Sequence, residues 1–530
     1  AAAPGSTTIL GAAKITGRTA DGWSLGILDA VSDRAVAPWV AADGTRSRTE
    51  IEPRTNYLAA RVRRDLNEGT RSFGVIATAV HRDLGTPALE SQLRSSAYAA
   101  GADGRVEWND RAWVLGGRLA GSLVAGSASA IARAQLSSAR YFDRPDADHL
   151  SYDPAATSLT GFYGTVSLDE QNGAWQGGLG LAATSPGFEV NDLGFQSAAD
   201  RVDVGGDFGY RQPTTGRHFR TFSVTATAGT SLNFGGEALA KSVGLSFNAT
   251  HISQNGFNAR ISRNLEAWND RQTRGGPLTL EPSGWSGNVS ANSDQRKAVQ
   301  TRVGFAYAED DGGGWRRSGN LSFTLRISDM YEILLGASLG RSRSAAQYVQ
   351  TVADPLATGT YGNRYVFASI DQETLEVETR VNITFTPNLT FELYAQPFIA
   401  SGDYLALKEL AAPRSFDFLQ YGRDAGTITR GADGRYEVDP SGSGTGTFFV
   451  TDRDFNFRSL LGNAVLRWQW RPGSTLFLVW QQSRSERLTP RAGDPEGRYG
   501  RFAFGPDARA LARLAADNTF MVKLTYWLNP

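Results

Sequence analysis

The sequence predicts an all-β protein, a single transmembrane antiparallel up-and-down β-barrel of about 22 strands (range about 20–24). Three observations predict it. Apolar and polar residues alternate with period two through one segment after another. Tight-turn residues separate many of these segments. The connections also come in two kinds, short turns and long polar loops, which is the asymmetry between the periplasmic and extracellular ends of bacterial barrels.

The clearest segment runs from Thr374 to Phe385, where Leu375, Val377, Val381, Ile383 and Phe385 share one face, interrupted only by Thr379. Glu376, Glu378, Arg380, Asn382 and Thr384 share the other. In Asn320–Ile327, Leu321, Phe323, Leu325 and Ile327 oppose Asn320, Ser322, Thr324 and Arg326. Ser242–Thr250 and Asn463–Arg471 repeat the pattern, the latter with Ala464, Leu466, Trp468 and Trp470 on its apolar face. The closing segment sets Phe520, Val522, Leu524, Tyr526 and Leu528 on one side. A few such strands would suit a soluble sandwich; about twenty in succession suit a membrane barrel.

Turn chemistry agrees. Asp21-Gly22, Asn67-Glu68-Gly69, Gln171-Asn172-Gly173, Thr215-Gly216, Gln254-Asn255-Gly256, Ser293-Asp294-Gln295, Ser328-Asp329, Pro387-Asn388 and Pro472-Gly473 all suit tight reversals. Long polar stretches lie near 32–55, 142–157, 185–198, 266–283, 344–363, 402–455 and 486–516. Counted back from the C-terminus, short and long connections alternate cleanly to about residue 142, and then the alternation slips.

Composition is consistent with this reading. The 530 residues could hold several domains at about 100–200 residues each, yet no linker divides them, and residues 1–530 read as a single outer-membrane barrel domain. Mean hydropathy is −0.32, and no apolar run approaches the roughly 18 residues of a transmembrane helix. Barrel strands escape that test because lumen-facing residues dilute lipid-facing ones. Twelve Trp, 17 Tyr and 27 Phe suit aromatic girdles at the two interfaces. A formal net charge of zero gives no electrostatic case for nucleic acid. Cysteine is absent, which removes disulfides and thiolate chemistry. The chain begins at Ala1 with methionine only at 330 and 521, consistent with processing of a longer, secreted precursor.

Particular strings then become familiar. They are the segments 9–19 (ILGAAKITGRT), 52–57 (EPRTNY), 141–146 (YFDRPD), 185–195 (SPGFEVNDLGF), 471–477 (RPGSTLF) and the closing Lys523-Leu524-Thr525-Tyr526-Trp527. Together they resemble the DUF5916 family of bacterial outer-membrane barrel proteins, over essentially the whole chain. The resemblance implies a Gram-negative outer-membrane location and no assigned reaction. Family members typically carry an N-terminal domain similar to family 9 carbohydrate-binding modules, and this sequence departs from that pattern by opening almost directly on the first barrel motif.

Chemistry-bearing constellations are sparse. His81, His149, His218 and His251 stand far apart, with no His-Glu-x-x-His spacing. The stretch Asp143-Arg144-Pro145-Asp146-Ala147-Asp148-His149 offers three carboxylates and an imidazole to a cation, but turn-forming aspartates in a solvated loop are the plainer reading. No Gly-x-Ser-x-Gly elbow follows a buried strand. The sequence therefore predicts no enzyme, no catalytic residue, no metal and no cofactor. The helical-looking piece 507–516 either dips into the lumen or caps a loop.

The inward-facing charges are the candidate functional residues: Arg326, Glu376, Glu378, Arg380, Glu392 and Arg467 should line the lumen if Leu, Val and Phe face lipid. Mixed-sign rings of this kind shape permeation or hold a plugging element, or simply bond one another and water. A barrel this wide needs its lumen filled, by inward-folded loops, for which 402–455 and 486–516 have the length, or by another protein. The functional expectation is a channel or porin-like transporter for glycans or other small solutes. The alternative is a structural scaffold or translocon barrel that anchors or encloses a partner protein. The implied partners are outer-membrane lipid or lipopolysaccharide, carbohydrate, and a lumen-plugging, periplasmic or extracellular protein.

Overall fold

The structure, a computed structural model, describes residues 6–495 and 499–527; Leu528, assigned above to the closing strand, lies outside them. Strands dominate, and 22 of them belong to one antiparallel sheet. By contact density the chain forms two compact units, Ala1–Arg211 with Thr225–Val243 and Ala267–Leu280, and Gln212–Val224 with Gly244–Glu266 and Glu281–Pro530.

In the first unit Ile9–Arg18, Trp23–Ser32, Arg54–Leu66, Arg71–Asp83, Ser96–Trp108, Trp113–Ala125, Ser158–Glu170, Trp175–Thr184 and Arg201–Arg211 each pair antiparallel with the next. In the second unit the same meander links Gly256–Leu265, Gly284–Asn292, Val299–Asp310, Trp315–Ser328, Tyr331–Ala353, Asn363–Thr386, Leu389–Leu410, Phe455–Arg471, Ser474–Leu488 and Asp517–Thr525. Phe219–Leu232 and Ala238–His251 belong to the same sheet, and the three-residue strand Phe418–Gln420 adds against Lys408–Leu410.

The alternation in the sequence becomes two chemically distinct faces because paired residues share a face. In the second unit the row Leu325, Ile333, Val381, Leu393, Ala464, Trp480 and Phe520 is in continuous register. Parallel to it run Phe323 with Leu335, and Leu339 with Leu375 and Ile399. These side chains are presented outward: Leu335 is 50% exposed, Phe323 45%, Phe520 76%. The apolar band has an upper limit. Beyond Leu339 and Leu375 the same face carries Arg341 paired with Glu373 at 3.1 Å and Arg343 with Asp371 at 2.6 Å. From Tyr331 to Leu339 the band is therefore about nine residues, or about 30 Å, the length of a membrane-crossing strand.

Short and long connections alternate along the chain, except at 233–237 and 311–314, where the order calls for long connections and short ones stand. The short turns run two to seven residues, and every tight reversal named from the sequence is among them. A further short turn, Asn109-Asp110-Arg111-Ala112, carries three successive positive φ angles of 54°, 52° and 64°, and nothing in its composition beyond Asn-Asp announces it. Aromatic side chains gather beside these turns, with Trp23 against Phe73 (5.8 Å), Trp108 on Trp113 (6.3 Å), Trp175 on Phe208 (5.3 Å) and Trp468 beside Trp470 (6.2 Å).

The long connections are folded. Residues 32–55 contain a hairpin, Ala35–Val40 with Arg46–Glu52. The stretch expected as a loop over 402–455 begins later, because Leu389 continues as strand to Leu410 in register with Asn363–Thr386. That continuation lies above the apolar band, where strand pairing persists without period-two patterning to reveal it. Tyr331–Ala353, Asn363–Thr386 and Leu389–Leu410 run 23, 24 and 22 residues. Their ends share a buried core of Val349, Val366, Ala368, Tyr421, Val438, Phe448 and Val450. A three-stranded sheet of Thr427–Arg430, Arg435–Asp439 and Phe448–Thr451 closes that core. The predicted helix 507–516 forms as Phe504–Arg513, three residues earlier. It docks through Asp507, which accepts from Arg458 at 2.8 Å, and Arg484 donates to the carbonyl of Ala512. By register Arg458 lies on the face of Ile399 and Ala464, so this helix sits on the apolar-band side rather than the charged side.

Candidate functional site

All six charged residues singled out from the sequence fall on the face opposite the apolar band. Register carries that face from Arg326 to Glu332, Asn382 and Glu392, and Arg467 follows two residues from Val465, the partner of Glu392. Glu376, Glu378 and Arg380 lie along the central strand of the group. Arg326 pairs with Glu332 at 2.7 Å, Arg380 pairs with Glu378, and the Arg380 guanidinium stands 5.1 Å from the centre of the Tyr394 ring. Glu376 accepts from the amide of Gln396. These pairs are part-exposed, which limits each to about 0–1 kcal/mol of stability. They order the charged face without sealing it.

The first unit has a polar face of its own, marked by Arg61 paired with Asp103 at 2.6 Å. At its long-connection end this face is covered. The row Val80, Ala97, Val124 and Leu159 lies on the Asp103 side of the sheet. Helix Ala128–Gln135, capped by Ser127 Oγ accepting from Ala130 N at 3.2 Å, packs Ile131 onto that row. The connection through Phe188 follows. A Cβ on Gly161 would lie 2.0 Å from Phe188 N, so only glycine lets the segment press against the strand. Glu189 N donates to Ser122 Oγ at 2.9 Å on the same row as Gly161. Tyr163 stacks on Phe188 with ring centres 5.9 Å apart.

An arginine–carboxylate chain holds these connections. Arg82 reaches Asp192 at 2.7 Å; Arg94 bridges Asp192 at 3.0 Å and Glu189 at 3.5 Å; Arg140 meets Glu189 at 2.7 Å. Burial pulls the Arg140 guanidinium below its ordinary pKa, and Glu189 opposes that pull. Beside the chain lies a cavity of about 540 Å³ lined by Arg82, Arg94, Arg133, Glu189, Asp192 and Phe195. Phe195 is 89% exposed at this site. The string 185–195, conspicuous in the sequence, is therefore a strap across the polar face. Its acidic residues mark it only once their arginine partners, distant in sequence, are known.

The stretch 143–149 is occupied by the protein's own groups. Arg144 is buried, with Asp146 at 3.2 Å and Glu237 and Asp270 each at 3.8 Å. Asp146 accepts from Leu278 N at 2.7 Å, and His149 pairs with Asp200 at 2.7 Å. Among the described residues no group of three or more His, Asp or Glu is placed to hold a metal ion.

The family described as "Domain of unknown function (DUF5916)" matches residues 1–529. No curated protein matches the sequence. Among solved structures, the ferric enterobactin receptor of Pseudomonas aeruginosa aligns over 96% of this chain and 82% of its own, at 10% identity and a TM-score of 0.37. The siderophore receptor of Acinetobacter baumannii aligns over 96% and 74%, at 9% identity and a TM-score of 0.37. An anion-selective porin of Comamonas acidovorans aligns over 62% and 91%, at 11% identity and a TM-score of 0.29.

Proposed function

Because the chain belongs to the DUF5916 family, whose description names no activity, we propose its function from geometry: an outer-membrane β-barrel channel of a Gram-negative bacterium, passing small polar solutes, glycans among them. The observation that carries the reading is the two-faced strand. One face bears an apolar band about nine residues long that ends on Arg341–Glu373 and Arg343–Asp371. The other bears Arg326, Glu376, Glu378, Arg380, Glu392 and Arg467. A band of that height suits lipid, with lipopolysaccharide meeting the ion pairs above it, and the charged face then lines the passage.

The connections 126–157 and 185–200 serve as inward-folded loops that narrow the passage. Their arginine–carboxylate chain holds them on the charged face, and the adjoining cavity, with Phe195 exposed beside its ionic groups, suits a polar solute entering the mouth. No bond-breaking chemistry is part of the reading: the protein is a conduit, not an enzyme.

Single-channel recording of the purified full-length protein in planar bilayers tests it. Stable conductance steps that change ion selectivity when Glu376 and Glu378 are replaced by Gln support the channel. A barrel that inserts yet stays electrically silent overturns it and favours a scaffold that encloses a partner protein.

A further inference from the structure

Beside the strap lies the cavity of about 540 Å³, wholly within the first unit, and its charges do not balance. The guanidiniums of Arg82, Arg94 and Arg133 face it, against the carboxylates of Glu189 and Asp192. Behind them Arg140 also claims Glu189, so four cations stand around two anions. Both carboxylates are 3% exposed and matched from within. Glu189 Oε1 accepts from Asn191 N at 2.7 Å, and Oε2 meets Arg140 at 2.7 Å and Arg94 at 3.5 Å. Asp192 Oδ1 accepts from Arg82 at 2.7 Å, and Oδ2 meets Arg94 Nε at 3.0 Å. What is left over is positive.

Holding the connections together does not use all of that charge. Arg133, exposed on the last turn of helix Ala128–Gln135, makes no ion pair and no hydrogen bond among the described residues. Both hydrogen bonds of Arg82 leave from Nη1, to Asp192 and to the carbonyl of Arg94 at 3.0 Å. Asn191 Oδ1 accepts from Gln196 N at 2.7 Å, which turns the amide so that its NH2 group stays open. A guanidinium is a planar fork that matches the oxygens of a carboxylate or a phosphate. A cleft with a surplus of one sign also draws in solutes of the other. Burial is the main reason the Arg140 pKa is low, and the like charges of Arg94 and Arg271 push the same way. An anion seated beside Arg94 and Arg133 relieves that crowding; a neutral solute does not.

We propose that this cavity binds the carboxylate or phosphate group of a small anionic solute, with Arg82, Arg94, Arg133 and Asn191 as its donors. The site rests on the channel reading for the solute's route to the cavity, and it narrows the solutes of that channel to anions.

Calorimetric titration of the purified full-length protein in a non-ionic detergent tests this, with sodium galacturonate, inorganic phosphate and galactose as probes. The expected result is saturable binding of galacturonate, of phosphate or of both, and none of galactose. The tighter anion tells whether carboxylate or phosphate is the preferred group. Arg133→Gln should weaken that binding about tenfold, the loss of one charge-assisted contact. Arg133→Lys, which keeps the charge, should keep most of it. Arg133 holds nothing in place, so both variants keep the fold, and heat-dependent mobility on gels confirms it. Three results overturn the site: neither anion binds, galactose binds as tightly as galacturonate, or Arg133→Gln leaves the affinity unchanged. None of these readouts depends on conduction. A conducting barrel that binds neither anion sinks the site alone, and a silent barrel that binds one sinks only the channel.

Discussion

The guanidinium of Arg140 is wholly shielded from solvent and lies 2.7 Å from the carboxylate of Glu189, which is 3% exposed. The two residues come from different connections, one following helix Ala128–Gln135 and one within the strap at 185–195. Their union fixes both connections on the polar face of the first unit. Removing one partner of such a pair leaves an uncompensated buried charge, at a cost of about 3–5 kcal/mol. Arg140→Met and Glu189→Met should each lower the thermal unfolding midpoint of the detergent-solubilised protein. The double variant should recover part of the loss. It should not recover all, because Glu189 also holds Arg94. Equal midpoints for the wild type and Arg140→Met would show that the pair does not anchor the strap.

Glu378 and Arg380 form a part-exposed pair along one strand of the charged face. Reversing both, Glu378→Arg with Arg380→Glu, keeps net charge and changes stability by less than about 1 kcal/mol. Glu376→Gln with Glu378→Gln removes two negative charges and should shift the reversal potential of the channel toward anions. Reversal-potential measurements in asymmetric salt provide the check. An unchanged potential would place these carboxylates away from the ion path.

Leu335 stands in the middle of the apolar band, four residues from Leu339 and six from Arg341. Leu335→Arg should cost about 2–4 kcal/mol, the penalty for a cation near the bilayer midplane of a barrel. Arg341→Leu, beyond the band, should cost less than about 1 kcal/mol, since it removes only an exposed ion pair. Chemical unfolding in lipid vesicles compares the two. Equal penalties would mean that the band is not the lipid-facing surface.

Asp294, in the short turn at 293–298, takes two hydrogen bonds from the Arg296 side chain, at 2.9 and 2.8 Å, and one from its backbone N–H at 3.0 Å. The Arg296 side-chain and backbone bonds hold its carboxyl pKa down at about 2, against an ordinary value of 3.8. A carboxyl depressed on folding stabilises the native state fully above its unfolded pKa and loses that contribution as pH falls through the folded value. The destabilisation of Asp294→Asn relative to wild type should therefore be constant above about pH 5. It should shrink between about pH 4 and pH 2. Midpoints measured from pH 2 to 7 would show it, and a difference independent of pH would sink the account.

Much of this protein is written locally. Period-two alternation in 374–385 and 320–327 places Glu376, Glu378, Arg380 and Arg326 on one face before any partner strand is known, because a pleated strand sends successive side chains to opposite sides. Turn residues such as Gln254-Asn255-Gly256 and Pro472-Gly473 mark reversals by their own backbone preferences. The slip in the alternation of short and long connections ahead of residue 142 is absent from the structure. There the connections 19–22, 67–70 and 109–112 are short and 33–53, 84–95 and 126–157 are long, so the alternation continues up to strand Ile9–Arg18.

Non-local features were beyond the sequence's reach. Nothing in the strings 141–146 or 185–195 says that Arg140 will meet Glu189, or that Asp192 will be shared by Arg82 and Arg94, since those contacts join residues 49 to 110 positions apart. The extension of Leu389–Leu410 above the band was equally hidden, because there the sheet is covered by its own small core and has no lipid-facing side to impose alternation. The sequence by itself determined the strands, their faces and the charged residues that share one face, because each follows from bond geometry within a few residues. Only the tertiary structure decided which connections fold back over the polar face of the first unit and how far the strands of the second extend beyond the apolar band. Both depend on pairing between segments far apart in the chain.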